Sequence, residues 1–308
     1  VPDRAVLMLG ELLAVAALLL FSANVLMVGT MTRRVPQDLG FLIALVGNVV
    51  FAALIVLGQY MLSGEELSPE WDAVGLFVVG GLLTSYLGRW FFLRAVMTIG
   101  PTRATALQIT NPVFAALAAW ALLGEALSPV AILCGLAVLA GLYLTSRKTD
   151  RLSRVSPRPG NQSIPVTEIG LSLLGALAYG LGNVARGAGV RDWEVPVVGS
   201  LVGAAAGLLL YGLVNTDLRK LGAAVRGADP VGRRLWLLSG VLTISAQTCL
   251  IAASLFIPVA IAVVISAAVP LVVLPVSVVF LRRTEAVGLS TGIGALFILG
   301  GVAGLVLS

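Results

Sequence analysis

The sequence predicts an all-α integral membrane protein of ten transmembrane helices, arranged as two inverted five-helix repeats. Three observations carry that prediction: a shortage of charge, ten apolar runs of spanning length, and basic residues concentrated in alternate connections. Charged residues make up 11% of the 308-residue chain and hydrophobic ones 58%, with a mean hydropathy of +1.03. A soluble domain carries roughly a quarter charged residues, so this chain lacks the polar surface to cover a water-facing globule. At about 20 apolar residues per crossing, its length allows on the order of ten spans. A β-barrel would need alternating apolar and polar positions, and runs such as LLAVAALLLF have none.

In the first half the apolar runs fall at 6–30, 41–61, 73–97, 102–123 and 129–145. The first is long enough to span, so it reads as a transmembrane helix rather than a cleaved signal. Residues 146–168, SRKTDRLSRVSPRPGNQSIPVTE, are the one long stretch rich in Ser, Pro and Arg, the composition of a boundary. Further runs follow at 169–190, 195–214, 235–256, 257–281 and 286–307. The organisation expected is a first repeat over 1–147, a basic linker over 148–168 and a second repeat over 169–308. The halves match in sequence: an offset of 158 pairs Pro112 with Pro270, 159 pairs Asn24 with Asn183, and 160 pairs Glu125 with Glu285. An odd number of spans per half turns the copies into opposite orientations, the plan of secondary transporters.

Charge placement agrees with the span count. Seventeen of the 20 Lys and Arg lie in, or at helix ends facing, the odd-numbered connections; Arg4 and Arg191 lie opposite, and Arg186 falls inside the sixth span. The other face is acidic, with Glu65, Glu66, Glu70, Asp72, Glu125, Asp192 and Glu194. The positive-inside rule puts the basic odd-numbered loops in the cytoplasm of an inner-membrane, multi-pass protein, and both termini outside. The chain has no histidine, which excludes His proton relays, His metal sites and Ser-His triads. No GxxxxGK[ST] occurs either, so ATP does not drive the protein directly. Cys134 and Cys249 sit in apolar runs and read as packing residues.

Polar residues inside apolar runs are expensive and therefore mark candidate function. Arg89 lies one helical turn from Tyr86, so the two share a face, and Arg103 opens the fourth span. Guanidinium forks suit a carboxylate or phosphate; the plain alternative is interfacial anchoring, which is the reading for Arg94. Asn24, Gln108 and Asn111 in the first half, with Asn183, Gln247 and Ser266 in the second, are uncharged polar groups near helix middles. Each alone reads as interhelical glue, and as a duplicated set they read as cavity-lining ligands. Arg186, with Asp192 or Glu194 as a fold-back partner, and Glu11 are candidates for coupling or gating. Pro112 and Pro270 join them as matched mid-helix prolines, each expected to kink its helix.

Several motifs recur in order: a mid-helix Pro and a terminal Glu in ITNPVFAALAAWALLGEALSP and AAVPLVVLPVSVVFLRRTEAVG, then a Gly-rich span, with LLLFSANV and ALAYGLGNV in front. This pattern resembles the drug/metabolite transporter superfamily, EamA type, over essentially the whole chain. The resemblance implies transport of small organic molecules through a central cavity between the halves. It also implies both termini in the cytoplasm, opposite to the charge distribution. The chain departs from the pattern after Asn24, where Met27 and Val28 stand in place of a basic residue, and in 41–61, which has no Arg.

The function expected is a secondary transporter working by alternating access on a small organic metabolite, anionic or zwitterionic given the embedded arginines. No cofactor, metal or nucleic acid is expected; the partners are the substrate and the bilayer, and the chain is a monomer with internal pseudo-symmetry. The alternatives are an intramembrane lipid-modifying enzyme, which would need clustered acids or His, and a passive channel.

Overall fold

Apolar segments without alternation can satisfy their backbone in hydrocarbon only by internal hydrogen bonding. A computed structural model describes residues 4–63, 68–99, 107–152, 166–214, 218–279 and 289–307, and among them are helices and no strand. In the first half these are α1 (Arg4–Arg34), α2 (Gln37–Ser63), α3 (Trp71–Gly81), α4 (Arg89–Ile99), α5 (Asn111–Leu123) and α6 (Pro129–Leu152). In the second they are α7 (Val166–Asp192), α8 (Pro196–Val214), α9 (Leu218–Gly227), α10 (Pro230–Ala253), α11 (Val259–Ala267), α12 (Val269–Val279) and α13 (Leu289–Leu307). A π turn, Leu82–Gly88, joins α3 to α4 as one rod. Five helical stretches are long and apolar enough to cross a membrane: α1, Gln37–Leu62, Trp71–Phe92, α8 and α10. Shorter apolar helices lie at Asn111–Leu123, Pro129–Leu144, Val259–Val273 and Gly292–Leu305.

The distribution of side chains is that of a multi-pass membrane protein. Leu133, Leu209 and Leu296 are each 68% exposed, and large apolar residues face outward on most helices. The interior is built of Ala, Gly and small hydroxyl residues. Several of these hydroxyls bond their own helix: Ser22 donates to the Leu18 carbonyl (2.7 Å), Thr84 to Gly80 (2.8 Å) and Ser254 to Leu250 (3.1 Å). Small residues let helices approach closely where hydrocarbon supplies no hydrophobic drive.

The two halves interlock rather than sit side by side. α1 packs on α10 and α3 on α7; α2 packs on α10 and α3 on α8; α5 packs on α7 and α1 on α11. α6 pairs with α13, α2 with α8, and α5 with α11. Helix ends follow local chemistry. Asp229 caps α10 by accepting from the Gly232 N–H (2.8 Å), with Pro230 in the first turn. α5 stops at Gly124, whose φ of 65° is left-handed and favours glycine.

Several boundaries differ from the sequence expectation. α6 runs past 145 to Leu152, because RKTDRL continues a helix well and its basic residues suit a C-terminal dipole. The fourth run is broken: a turn at Ile109-Thr110 precedes α5, and Pro112 stands in the first turn of α5, where a missing N–H costs nothing. The ninth run breaks likewise at Ala268, with Pro270 the second residue of α12. The matched prolines therefore begin half-helices instead of kinking continuous ones. α9 has no apolar run to announce it. Its Leu221 and Val225 pack inward while Lys220 and Arg226 are exposed, the pattern of an amphipathic surface helix.

Candidate functional site

Among the described residues the most buried charge is Arg186 of α7, 2% exposed. Close backbone approach encloses it. A Cβ on Gly80 would stand 2.6 Å from the Arg186 Cγ, one on Gly203 would stand 3.1 Å from its Nη2, and one on Gly81 would overlap the Gly203 backbone. Only glycine lets α3 and α8 cross against this side chain.

The guanidinium donates from Nη1 to the Gln247 Oε1 on α10 (2.9 Å) and from Nη2 to the Ser85 Oγ on the π turn (3.1 Å). Its Nε–H is buried and has no protein partner. Among the described residues no carboxylate pairs with it. The fold-back partners Asp192 and Glu194 do not bond it; Asp192 ends α7. A buried guanidinium held by two neutral oxygens is incompletely compensated, and such a charge is costly in a low dielectric.

Around it lie several of the residues expected from sequence. Asn183 is on α7, three residues from Arg186 and so on the same face. Tyr179, further back on α7, lies within electrostatic reach of both Arg186 and Arg89. A Cβ on Gly88 would stand 2.9 Å from the Tyr179 ring. Arg89 opens α4 with its guanidinium 4.7 Å from the centre of the Phe41 ring, a cation–π contact. Tyr86 packs with Phe41, Leu45 and Tyr211 beside it. The π turn thus presents Ser85 to Arg186 while Tyr86 and Arg89 meet at Phe41, and π turns inside α-helices recur at functional sites.

Gln108, from the broken fourth run, meets α7 at Gly175, about three helical turns before Arg186. The Gln108 Nε2 would stand 2.9 Å from a Cβ on Gly175, and both it and the Asn111 Oδ1 are buried without a partner. An unpaired donor and an unpaired acceptor beside a half-helix N-terminus are groups that a polar ligand can satisfy.

Other expected residues stand elsewhere. Asn24 accepts from the Ser239 hydroxyl (2.6 Å) at the contact of α1 with α10. Ser266 donates to the Val263 carbonyl (2.9 Å) within α11. Glu11 lies near the start of α1, next to Gly10, which packs on Phe256 and Ile257. Arg103 and the side chain of Pro270 lie outside the described residues. Ser85 was missed: within GGLLTSYLG it reads as one more small packing residue, and nothing in the sequence announces the π turn.

Two ion pairs close the ends of the bundle. At the acidic end Glu125 accepts from Arg191 and from the Val259 N–H (3.1 Å), which begins α11, while Arg191 also donates to the Ser254 carbonyl (3.1 Å). At the basic end Arg34 pairs with Asp229 (3.1 Å), joining α1 to α10.

The family model described as the EamA-like transporter family matches residues 8–147. No curated protein matches the chain. A solved structure titled only "Crystal structure of protein" is similar over 97% of this chain and 98% of its own, with a TM-score of 0.69 and 21% identity. That similarity concerns the fold alone.

Proposed function

We propose that the chain belongs to the EamA-like transporter family, whose model matches residues 8–147, and that it is a secondary transporter moving a small organic anion or zwitterion by alternating access. The observation that carries the substrate class is Arg186. A buried cation with two neutral partners, an unpartnered Nε–H and no carboxylate partner among the described residues needs an anion to complete it. A carboxylate or phosphate supplies the counter-charge and matches the guanidinium fork. Arg89 and Tyr179 lie on the same side of α7 to hold the remainder of the substrate, and Gln108, Asn111 and Asn183 offer polar groups along the same helix.

The architecture in this reading is ten spans in two inverted five-helix halves, joined by the linker of 148–168. The interlocking supports it. Exchanging the halves turns the α1–α10 contact into α7–α3, α2–α10 into α8–α3, and α5–α7 into α11–α1, and leaves α6–α13, α2–α8 and α5–α11 unchanged. Paired broken helices starting at Asn111-Pro112 and Val269-Pro270 support it as well, since discontinuous helices present half-helix ends to substrates. Charge bias puts the basic connections in the cytoplasm of an inner membrane.

The test is an uptake screen in vesicles carrying the purified protein. Labelled pyruvate, succinate, glutamate, glycerol 3-phosphate and putrescine are presented separately, with and without a pH gradient. Saturable uptake of one or more anions is the expected result. Uptake of putrescine alone, or of none saturably, would overturn the reading.

A further inference from the structure

The two partners of Arg186 come from both halves of the chain. Ser85 belongs to the π turn of the first half and Gln247 to α10 of the second, and each offers one neutral oxygen to one terminal nitrogen of the guanidinium. Those nitrogens are the ones a carboxylate or phosphate engages in a two-point bond. Several other buried hydroxyls bond their own helix, as the neighbouring Thr84 does to the Gly80 carbonyl (2.8 Å) and Ser22 to that of Leu18 (2.7 Å). Ser85 instead serves the arginine.

We infer that Ser85 and Gln247 are stand-in ligands for the substrate's anionic group, holding Arg186 when the site is empty so that the unloaded carrier can close and reset. The inference rests on the transport reading above. Closing the bundle over Arg186 removes its water, and a desolvated charge must then be met by protein or ligand. With substrate bound, the anion meets it; without substrate, Ser85 and Gln247 do. Removing them leaves the loaded crossing its counter-charge and deprives the empty crossing of the two oxygens that meet the guanidinium. Net transport, which needs both crossings, becomes limited by the empty return. Exchange of one anion for another needs only the loaded crossing.

The experiment uses the full chain in vesicles with labelled succinate, pyruvate, glutamate and glycerol 3-phosphate, each run separately. Exchange is read with the same unlabelled compound inside, and net uptake with none inside. In Ser85→Ala and Gln247→Met the ratio of net uptake to exchange falls by about tenfold, the factor that one lost hydrogen bond to a charged group carries. Ser85→Thr, which keeps the hydroxyl, returns the ratio to the wild-type value. Gln247→Glu places a fixed counter-charge on Arg186 and lowers both rates together. Melting curves in detergent identify any variant that fails to fold, in which case the remaining substitutions decide. An unchanged ratio in folded Ser85→Ala and Gln247→Met, whether both rates fall equally or neither falls, overturns the inference. If the wild type takes up none of the four anions saturably, the transport reading itself falls, which is a separate result.

Discussion

Replacing Arg186 with methionine should make the protein more stable while removing its transport. Arg186→Met keeps the length and bulk of the side chain and deletes the charge. Burying an ion without full compensation costs several kcal/mol. The loss is the bond to the Gln247 Oε1, which is left unpaired at a cost of about 1–3 kcal/mol. Ser85 can turn its hydroxyl onto its own helix, as Thr84 does. The balance favours the variant by about 1–3 kcal/mol, within the range seen when buried ionic groups give way to apolar ones. At about 2–4 °C per kcal/mol for a chain of this order of size, the melting temperature rises by about 2–12 °C. The assay is tryptophan fluorescence of the detergent-purified protein on heating, without added anion. Adding succinate or glycerol 3-phosphate stabilises the wild type and leaves the variant unmoved. A melting temperature that falls by a similar amount would refute the reasoning, because it would make Arg186 a structural clamp between α3, α8 and α10.

Three further outcomes follow from the ends of the bundle. Arg191→Gln removes the partner of a carboxylate whose side chain is only 8% exposed and should destabilise by about 1.5–3 kcal/mol, read as an earlier melting transition. The Asp229 carboxyl is held below the usual aspartate range, first by the Gly232 N–H and then by Arg34. Its folded pKa is depressed, so its contribution is present above the ordinary value of about 4 and is lost as pH falls through the lowered one. The stability gap between wild type and Asp229→Asn should therefore be constant near neutrality and close on acidification, as melts across pH would report. With native cysteines replaced, Ser156→Cys in the basic linker should react with an impermeant thiol reagent only in inverted vesicles; labelling of intact cells would reverse the orientation.

Spans were legible in the sequence because hydropathy and charge are solvent preferences, read residue by residue. Their interruptions were partly legible: Pro112 and Pro270 signalled trouble, yet only the backbone shows that each begins a half-helix. α9 was hidden because ten residues interrupted by three basic side chains give no spanning run, and its amphipathic face has meaning only against Phe41, Met31 and Trp236. Arg186 stood out as an intramembrane charge, but local sequence suggested Asp192 or Glu194 as its partner. Its actual partners are 61 and 101 residues away, and neither is charged. Ser85 depends on a π turn with no sequence signature. Glu125 stood in the sequence as one of several acidic-face residues, and its links to Arg191 and Val259 across the halves needed three dimensions.

The central claim, that a buried arginine recognises the anionic group of a transported substrate, is tested most directly by comparing wild type and Arg186→Met in vesicles. The account predicts saturable uptake of at least one among pyruvate, succinate, glutamate and glycerol 3-phosphate by the wild type. In the folded variant that uptake is lost, in net flux and in exchange alike. Anion uptake that survives the substitution with unchanged saturation would contradict it.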